Sequence, residues 1–242
     1  MSTIQYDERM GVPSYLCNAA DKLSLAGVAA LFQEGASRNA KALGFDFSQS
    51  ESPVFWVLNR LEIKADKWPG WDQQIRIQSW PSGTRKLFAT REFLVLDEAD
   101  NPLIEASSAW LLLSRETGRP VRPQKHVMEI PADTPRVIDM DLSKLPPLDK
   151  PSVPDRWNAI RPTDIDRNQH VNNTRYFEWI ADHVQRVQIE HAESAETDIE
   201  GLPSLAAPVT VQVVFQNESR LGESYQVVMP DRYDGEVRVR AG

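Results

Sequence analysis

Ten consecutive residues, Asp164-Ile165-Asp166-Arg167-Asn168-Gln169-His170-Val171-Asn172-Asn173, gather two carboxylates, several amides and one imidazole. Tyr176, Phe177, Trp179, Ile180, Val184 and Val187 follow at close to helical spacing, so the cluster lies at a predicted helix N-terminus. Free backbone N–H groups and the positive end of the helix dipole face outward at such a place. An acid, an imidazole and oriented donors together suit hydrolysis of an acyl group. Asp166 is placed to attack a carbonyl or to activate a water, with Asn168 and His170 positioning the water or the acid. A plainer reading stands beside this one. Asp and Asn before a helix are common caps, and an imidazole there can simply bond a backbone carbonyl. Residue types alone therefore stop at a hydrolase or an acyl-binding domain.

Other chemistries fit less well. Asp164, Asp166 and Asn168 occupy the first, third and fifth places of a calcium-loop pattern, but Gln169 stands where glycine is required and Arg175 where a bidentate Glu is required. Zinc needs more His or Cys than this segment holds. Neither a metal nor an organic cofactor is expected. Cys17, the one cysteine, is far away in sequence and reads as a small packed residue. No G-x-S-x-G elbow occurs, so carboxylate chemistry remains.

The elements that must hold the cluster come in two rounds. An extended stretch near Val12–Asn18 precedes a predicted helix over 24–43, capped by Ser24 and ended by Gly44. Leu25, Val28, Phe32, Ala36 and Leu43 form its apolar stripe, and Gly27, Ala29, Ala30, Gly35 and Ala40 let a sheet approach closely. Strands are expected at Val54–Lys64, Gln73–Trp80, Leu87–Leu96 and Leu103–Ser114, with turns at Pro69-Gly70, Pro81-Ser82-Gly83 and Asp97–Pro102. Eight of the 17 prolines fall within residues 116–155, which prevents regular pairing and predicts a surface linker. The order then repeats: a strand within Arg156–Arg161, a helix over 174–189, a polar loop over Glu190–Ser204, and strands at Val209–Asn217, Tyr225–Met229 and Glu236–Arg240. The expected domains are 1–115, a linker 116–155, and 156–242, the last apparently one strand short. Two helices, each wrapped by a sheet, make an α+β double layer with acyl-sized space between.

A formal charge of −8 argues against a general nucleic-acid binder. An acidic partner would need a local basic patch, for which Arg85, Lys86 and Arg91, or Arg115, Arg119, Arg122, Lys125 and His126, are the candidates. Solvated surface charge is the plainer reading of both groups. The polar start and the single cysteine predict a cytoplasmic protein with no stable membrane insertion.

At these residues the chain resembles the acyl–acyl-carrier-protein (acyl-ACP) thioesterases. The motif T-D-I-D-x-N-x-H-V-N-N of residues 163–173, followed by Tyr176 and Trp179, carries the likeness, together with Phe55–Arg60, Trp80–Gly83, Leu87–Phe93, Ala106–Trp110 and Thr117–Pro120. It spans most of residues 10–225. The resemblance implies two tandem hotdog domains, an acyl tunnel in the first, and catalytic Asp166, Asn168, His170 and Glu218 in the second. Where plant members carry a cysteine after that glutamate, this chain has Ser219, a possible replacement nucleophile if a base adjoins it. Oxyanion donors are expected from the helix N-terminus at Val171, Asn172 and Asn173. Carrier protein is acidic, which gives Arg115, Arg119, Arg122 and Lys125 a purpose as docking residues. An acyl-CoA thioesterase and a non-catalytic acyl-binding protein are the alternatives, with a dehydratase behind them. An open edge of the short second sheet calls for cover, either from the linker or from a second copy in a homodimer.

Overall fold

The computed structural model describes residues 5–47, 51–127, 129–131, 133–143, 157–194, 206–215, 219–228 and 238–241. The chain begins with strand β1 (Tyr6–Gly11) and a single 3-10 turn at Ser14–Leu16. Strand thus precedes the stretch expected to be extended, Val12–Asn18, because Pro13 starts a turn there instead. Helix α1 (Leu25–Ala42) follows. The Ser24 hydroxyl accepts the Gly27 N–H at 2.9 Å, and Gly44 takes the left-handed conformation at φ +76° beyond the last turn. Leu25, Val28, Phe32, Ala36 and Asn39 are buried along one face. Gly27 lies against the Leu16 carbonyl so closely that a Cβ would come within 2.5 Å of it.

Four long antiparallel strands wrap this helix: β2 (Val54–Ala65), β3 (Gln74–Arg85), β4 (Phe88–Leu96) and β5 (Pro102–Ser114). Phe93 of β4 stacks on Phe32 of α1 with ring centroids 4.6 Å apart, which marks the helix-facing side of the sheet. The expected turn at Pro81-Ser82-Gly83 is not a turn. β3 runs straight through it, with a bulge between Pro81 and Gly83, and the chain reverses at Lys86-Leu87 instead. A bulge absorbs the missing proline N–H without ending the strand.

The proline-rich segment also departs from expectation. Its start pairs: β6 (Pro120–Val121) adds to β5. Further on, residues 135–143 lie as a strap across the outer face of the first sheet. Ile138 and Met140 are buried there against Ala109, with Phe88 beside them. The strap's polar groups are met by side chains rather than by a ladder. The Trp80 indole N–H donates to the Pro135 carbonyl (2.9 Å), the Val137 N–H donates to buried Glu92 (3.1 Å), and Arg60 donates to the carbonyls of Asp141 and Ser143. Burial holds the Arg60 pKa below its ordinary value.

The second round comprises β7 (Asn158–Ala159), α2 (Asn173–Ser194), β8 (Val209–Val214), β9 (Ser224–Val228) and β10 (Arg238–Ala241). α2 outruns its predicted end, carrying helix into the stretch expected to be loop from Glu190. β7, β9 and β10 form a small antiparallel sheet in the order β10-β9-β7. β8 instead joins the first sheet, pairing with β2 from Arg60↔Val214 to Ala65↔Val209, to give the order β1-β3-β4-β5-β2-β8. One main core therefore runs from α1 and the first sheet to Phe177, Ile180 and Val184 of α2. Trp179 of α2 stacks flat on Tyr225 of β9 at 3.6 Å, fastening the helix to the small sheet. No helix among the described residues is long and apolar enough to cross a membrane.

Candidate active site

The cluster of residues 164–173 is a tight loop leading into α2. Ile165 and Val171 form an antiparallel bridge; the Asp166 N–H donates to the His170 carbonyl (2.8 Å) and the Gln169 N–H to the Asp166 carbonyl (3.0 Å). Gln169 sits at φ +65°. Asp166 closes the turn with its side chain, Oδ1 accepting the Asn168 N–H at 2.7 Å, while the Asn168 amide lies 3.4 Å from Oδ2. Asn172 caps α2 by accepting the Thr174 N–H at 3.0 Å.

The same loop precedes α1. Cys17 and Leu23 bridge; the Asn18 N–H donates to the Lys22 carbonyl (2.8 Å) and the Asp21 N–H to the Asn18 carbonyl (3.0 Å). Asn18 Oδ1 accepts the Ala20 N–H (3.0 Å), Asp21 has φ +55°, and Ser24 is the cap. A 3-10 turn leads into each loop, at Ser14–Leu16 and at Pro162–Asp164. The scaffold is thus built twice, with different side chains on it. Asn18, Ala20 and Lys22 occupy in the first loop the places of Asp166, Asn168 and His170 in the second. Closing the loop needs only a short polar side chain at the first of these places. A carboxylate, an amide and an imidazole together are what the second loop adds.

Asp164 belongs to the scaffold rather than to the chemistry. It is fully buried, and its carboxylate accepts the Arg161 N–H (2.8 Å) and the Arg161 guanidinium (3.0 Å). Two of the three expected oxyanion donors are also committed. The Val171 N–H donates to the Ser219 carbonyl and the Asn172 N–H to the Asp164 carbonyl, each at 2.8 Å. Those bonds fix the loop against its neighbours, which removes both amides from the expected set. The N–H of Asn173, first residue of α2, has no such bond among the described residues and is the donor that remains.

Asp166, Asn168, His170 and Asn173 all line one cavity of about 1480 Å³. Most of its other walls come from the first half of the chain, from Ala36 and Ala40 of α1, Trp56 and Leu58 of β2, and Trp110 of β5 among others. Asn59 of β2 and Phe215 exchange hydrogen bonds, the Phe215 N–H donating at 2.8 Å and the Asn59 amide at 3.2 Å, so the two halves meet beside the cluster. Ser219 lines the same cavity, where its buried hydroxyl accepts the Tyr176 hydroxyl at 2.9 Å and, among the described residues, bonds no base. Tyr176 itself reaches the cavity, a contact its place in an apolar helical stripe concealed. Glu218 lies outside the described residues.

The basic candidates divide. Arg115 donates to the carbonyls of Ser52 (2.9 Å) and Phe47 (3.0 Å) and lies over the Phe55 ring, so it pins the end of β5. Arg115 is nonetheless exposed, as are Arg119, Arg122 and Lys125. Arg91, expected on the surface with Arg85 and Lys86, is buried on the helix side of β4. Among the described residues no three His, Cys, Asp or Glu side chains gather as a metal site would require.

Two helices, each with a capped entry loop and an antiparallel sheet about it, define a double-hotdog protein. The family model for the N-terminal domain of acyl-ACP thioesterases matches residues 3–130, and that for the C-terminal domain matches residues 155–238. The chain belongs to the acyl-ACP thioesterase family. It is 25% identical over 209 residues to the palmitoyl-acyl carrier protein thioesterase of Cuphea hookeriana, covering 81% of this chain and 50% of that one. The chain thus spans about half the length of the curated relatives it matches. Among solved structures, the 12:0-ACP thioesterase from Umbellularia californica superposes with a TM-score of 0.74 at 19% identity, covering 100% of this chain and 96% of that one. An acyl-ACP thioesterase from Bacteroides thetaiotaomicron gives 0.70 at 21% identity, with coverages of 100% and 93%. At these identities the superpositions establish the fold.

Proposed function

We propose that the protein hydrolyses acyl-ACP thioesters to free fatty acid and carrier thiol. Residues 1–115 would hold the acyl chain, 116–155 would link the halves, and 156–242 would supply the chemistry. The observation that carries this reading is the single cavity joining the apolar wall of the first half to Asp166, Asn168, His170 and Asn173. A thioester carbonyl at the cluster, with its chain along Ala36, Leu58 and Trp110, would meet both requirements at once.

Asp166 acts as base toward a water or as nucleophile toward the carbonyl, with Asn168 and His170 holding the water or the acid. Glu218 joins them in orienting that water. The carbonyl oxygen, as it gains charge, takes the Asn173 N–H; one such donor contributes about 3 kcal/mol of transition-state stabilisation. The leaving group is a thiolate, whose reference pKa of about 8.5 makes expulsion easy without prior protonation. Carboxylate chemistry suffices for such an ester. Arg115, Arg119, Arg122 and Lys125 are exposed and are proposed to dock the acidic carrier protein. A monomer or homodimer in the reducing cytoplasm is the proposed setting, the one cysteine being free.

Thiol release from matched acyl-ACP and acyl-CoA substrates tests the reading. Asp166→Asn should lower kcat by on the order of a hundredfold or more, the usual range for losing a general base. Equal rates with CoA and carrier protein would favour an acyl-CoA enzyme. Binding of acyl chains without release would make the protein an acyl carrier. Reversing the charges of Arg119, Arg122 and Lys125 should raise KM for carrier-protein substrates and flatten its salt dependence, with acyl-CoA turnover unchanged.

A further inference from the structure

The motif of residues 163–173 leaves two places open, 167 and 169. Gln169 has a structural task, the left-handed corner at φ +65°, which Asp21 performs in the first loop. Arg167 has none. Ala19 stands in its place in the first loop, where the same turn closes without a cation. The loop thus gives no reason for a guanidinium beside Asp166, and carboxylate hydrolysis does not need one. Nor is it tied down as its neighbours are. Arg161 pairs with Asp164 at 3.0 Å and Arg175 with Glu178 at 2.5 Å. The Arg167 side chain is exposed and has no hydrogen bond or ion pair among the described residues. That is unusual in a chain where 35 carboxylates face 27 cations.

Arg167 lines the cavity, and so does Lys41 in the last turn of α1. Lys41 is likewise exposed and has no ion pair among the described residues. Two other exposed cations of the first half that line the cavity are engaged, Arg38 with Glu34 at 2.7 Å and Arg115 with backbone carbonyls. A last-turn lysine suits the helix dipole, but Arg167 has no such account. A thioester brought to Asp166 must lead its leaving group out to solvent. In acyl-ACP and acyl-CoA alike, that group is a pantetheine arm ending in a phosphate ester. Sulfur and phosphorus are separated by about thirteen bonds, roughly 15 Å at peptide-like extension. Asn168 is exposed, so the cluster lies close beneath the surface and a phosphate that far from the sulfur comes out at the rim. An arginine fork matches phosphate oxygens, and a lysine adds a point charge.

We propose that Arg167, backed by Lys41, is a subsite for the phosphate of the pantetheine arm. The inference rests on the thioesterase reading above. It is separate from docking at Arg115, Arg119, Arg122 and Lys125: those residues would meet the carrier protein, whereas Arg167 and Lys41 would grip the arm that any carrier presents.

The test compares thioesters of one acyl chain on pantetheine, on phosphopantetheine, on CoA and on carrier protein. Adding the phosphate to pantetheine should raise wild-type kcat/KM by on the order of tenfold, mostly through KM. Arg167→Gln should lose most of that gain, and Arg167→Gln combined with Lys41→Gln all of it, with acyl-pantetheine turnover unchanged. Arg167→Lys should recover part. The same loss should appear on CoA and carrier-protein substrates, which share the phosphate. A wild type indifferent to the phosphate would overturn the proposal. So would an equal loss on acyl-pantetheine, which would put Arg167 to work on the reacting groups. A loss confined to carrier protein would also overturn it, by making the carrier's own carboxylates the partner. Thioether analogues, which cannot be cleaved, separate this inference from the hydrolase reading. With no turnover of any thioester, tighter binding of the phosphorylated thioether by wild type than by the double variant would sustain the subsite while ending the hydrolase reading. Equal binding would end the subsite.

Discussion

On the proposed function Asp166 does two jobs, and only one requires a negative charge. Its Oδ1 accepts the Asn168 N–H to close the loop, as Asn18 does for Ala20 in the first half. Asp166→Asn should therefore melt within a degree or two of wild type while losing turnover. Asp166→Ala should lose both, with stability down by about 1–2 kcal/mol for a lost turn-closing acceptor. Thermal melts beside thiol release check this; a large stability loss in Asp166→Asn would break the division of labour. The sequence displayed the reactive residue types plainly, because their chemistry is a property of the side chains. It hid that Asp164 is a buried anchor and that the Val171 and Asn172 amides are spent. Those facts depend on carbonyls brought in from Ser219 and from Asp164 itself. Arg91 was legible in principle: it alternates with Phe93 and Val95 on one face, and period two should have placed it inside.

The entry loop and helix are the repeated unit of this fold, and its tolerances are tight. Gly27→Ala would set a Cβ against the Leu16 carbonyl. Backbone cannot step aside as a side chain does, so about 1–3 kcal/mol of stability should be lost, visible in denaturant midpoints. At the sheet edge, Asp7 of β1 bonds Arg76 of β3 at 2.6 Å and accepts the Gln78 amide at 3.0 Å. The Arg76 hydrogen bond holds its carboxyl below the ordinary 3.8. A depressed folded pKa gives stability that is present above the unfolded value and lost as pH falls through the folded one. Wild type should therefore lose melting temperature between about pH 5 and pH 3 more steeply than Asp7→Asn, an exposed contact making the difference small. Helix α1 and the long strands followed from periodicity and caps. The bulge at Pro81-Ser82-Gly83 and the strap at 135–143 did not, because turn-type residues carry no sign of being held by Glu92, Arg60 and Trp80.

At the scale of the molecule, the halves are joined by strand pairing rather than by contact alone. β8 comes from the second half yet completes the edge of the first sheet. A chain ending at residue 143 would expose the β2 edge and the core face that α2 covers. It should aggregate on its own, and co-expression with the remainder should restore a single peak in size-exclusion chromatography. A soluble monomer from residues 1–143 would show that the join is dispensable. The two rounds of elements were readable from sequence; which sheet β8 enters was not. Its alternation, Val209, Val211 and Val213 against Thr210 and Gln212, suits either neighbour, and the partner is chosen by tertiary packing.

On the proposed function, the β2–β8 pairing would also make the molecule a calibrated instrument. On that reading the first half would measure and the second half cut, so product length would depend on how far one is set along the other. That offset is a strand register, Leu61 against Val213 and Ile63 against Val211. A slip of one residue would turn every buried side chain of β8 outward, so only slips of two residues are admissible, about 7 Å each. Coarse changes of product length would have to come as jumps in register. Fine ones are left to the side chains of the wall.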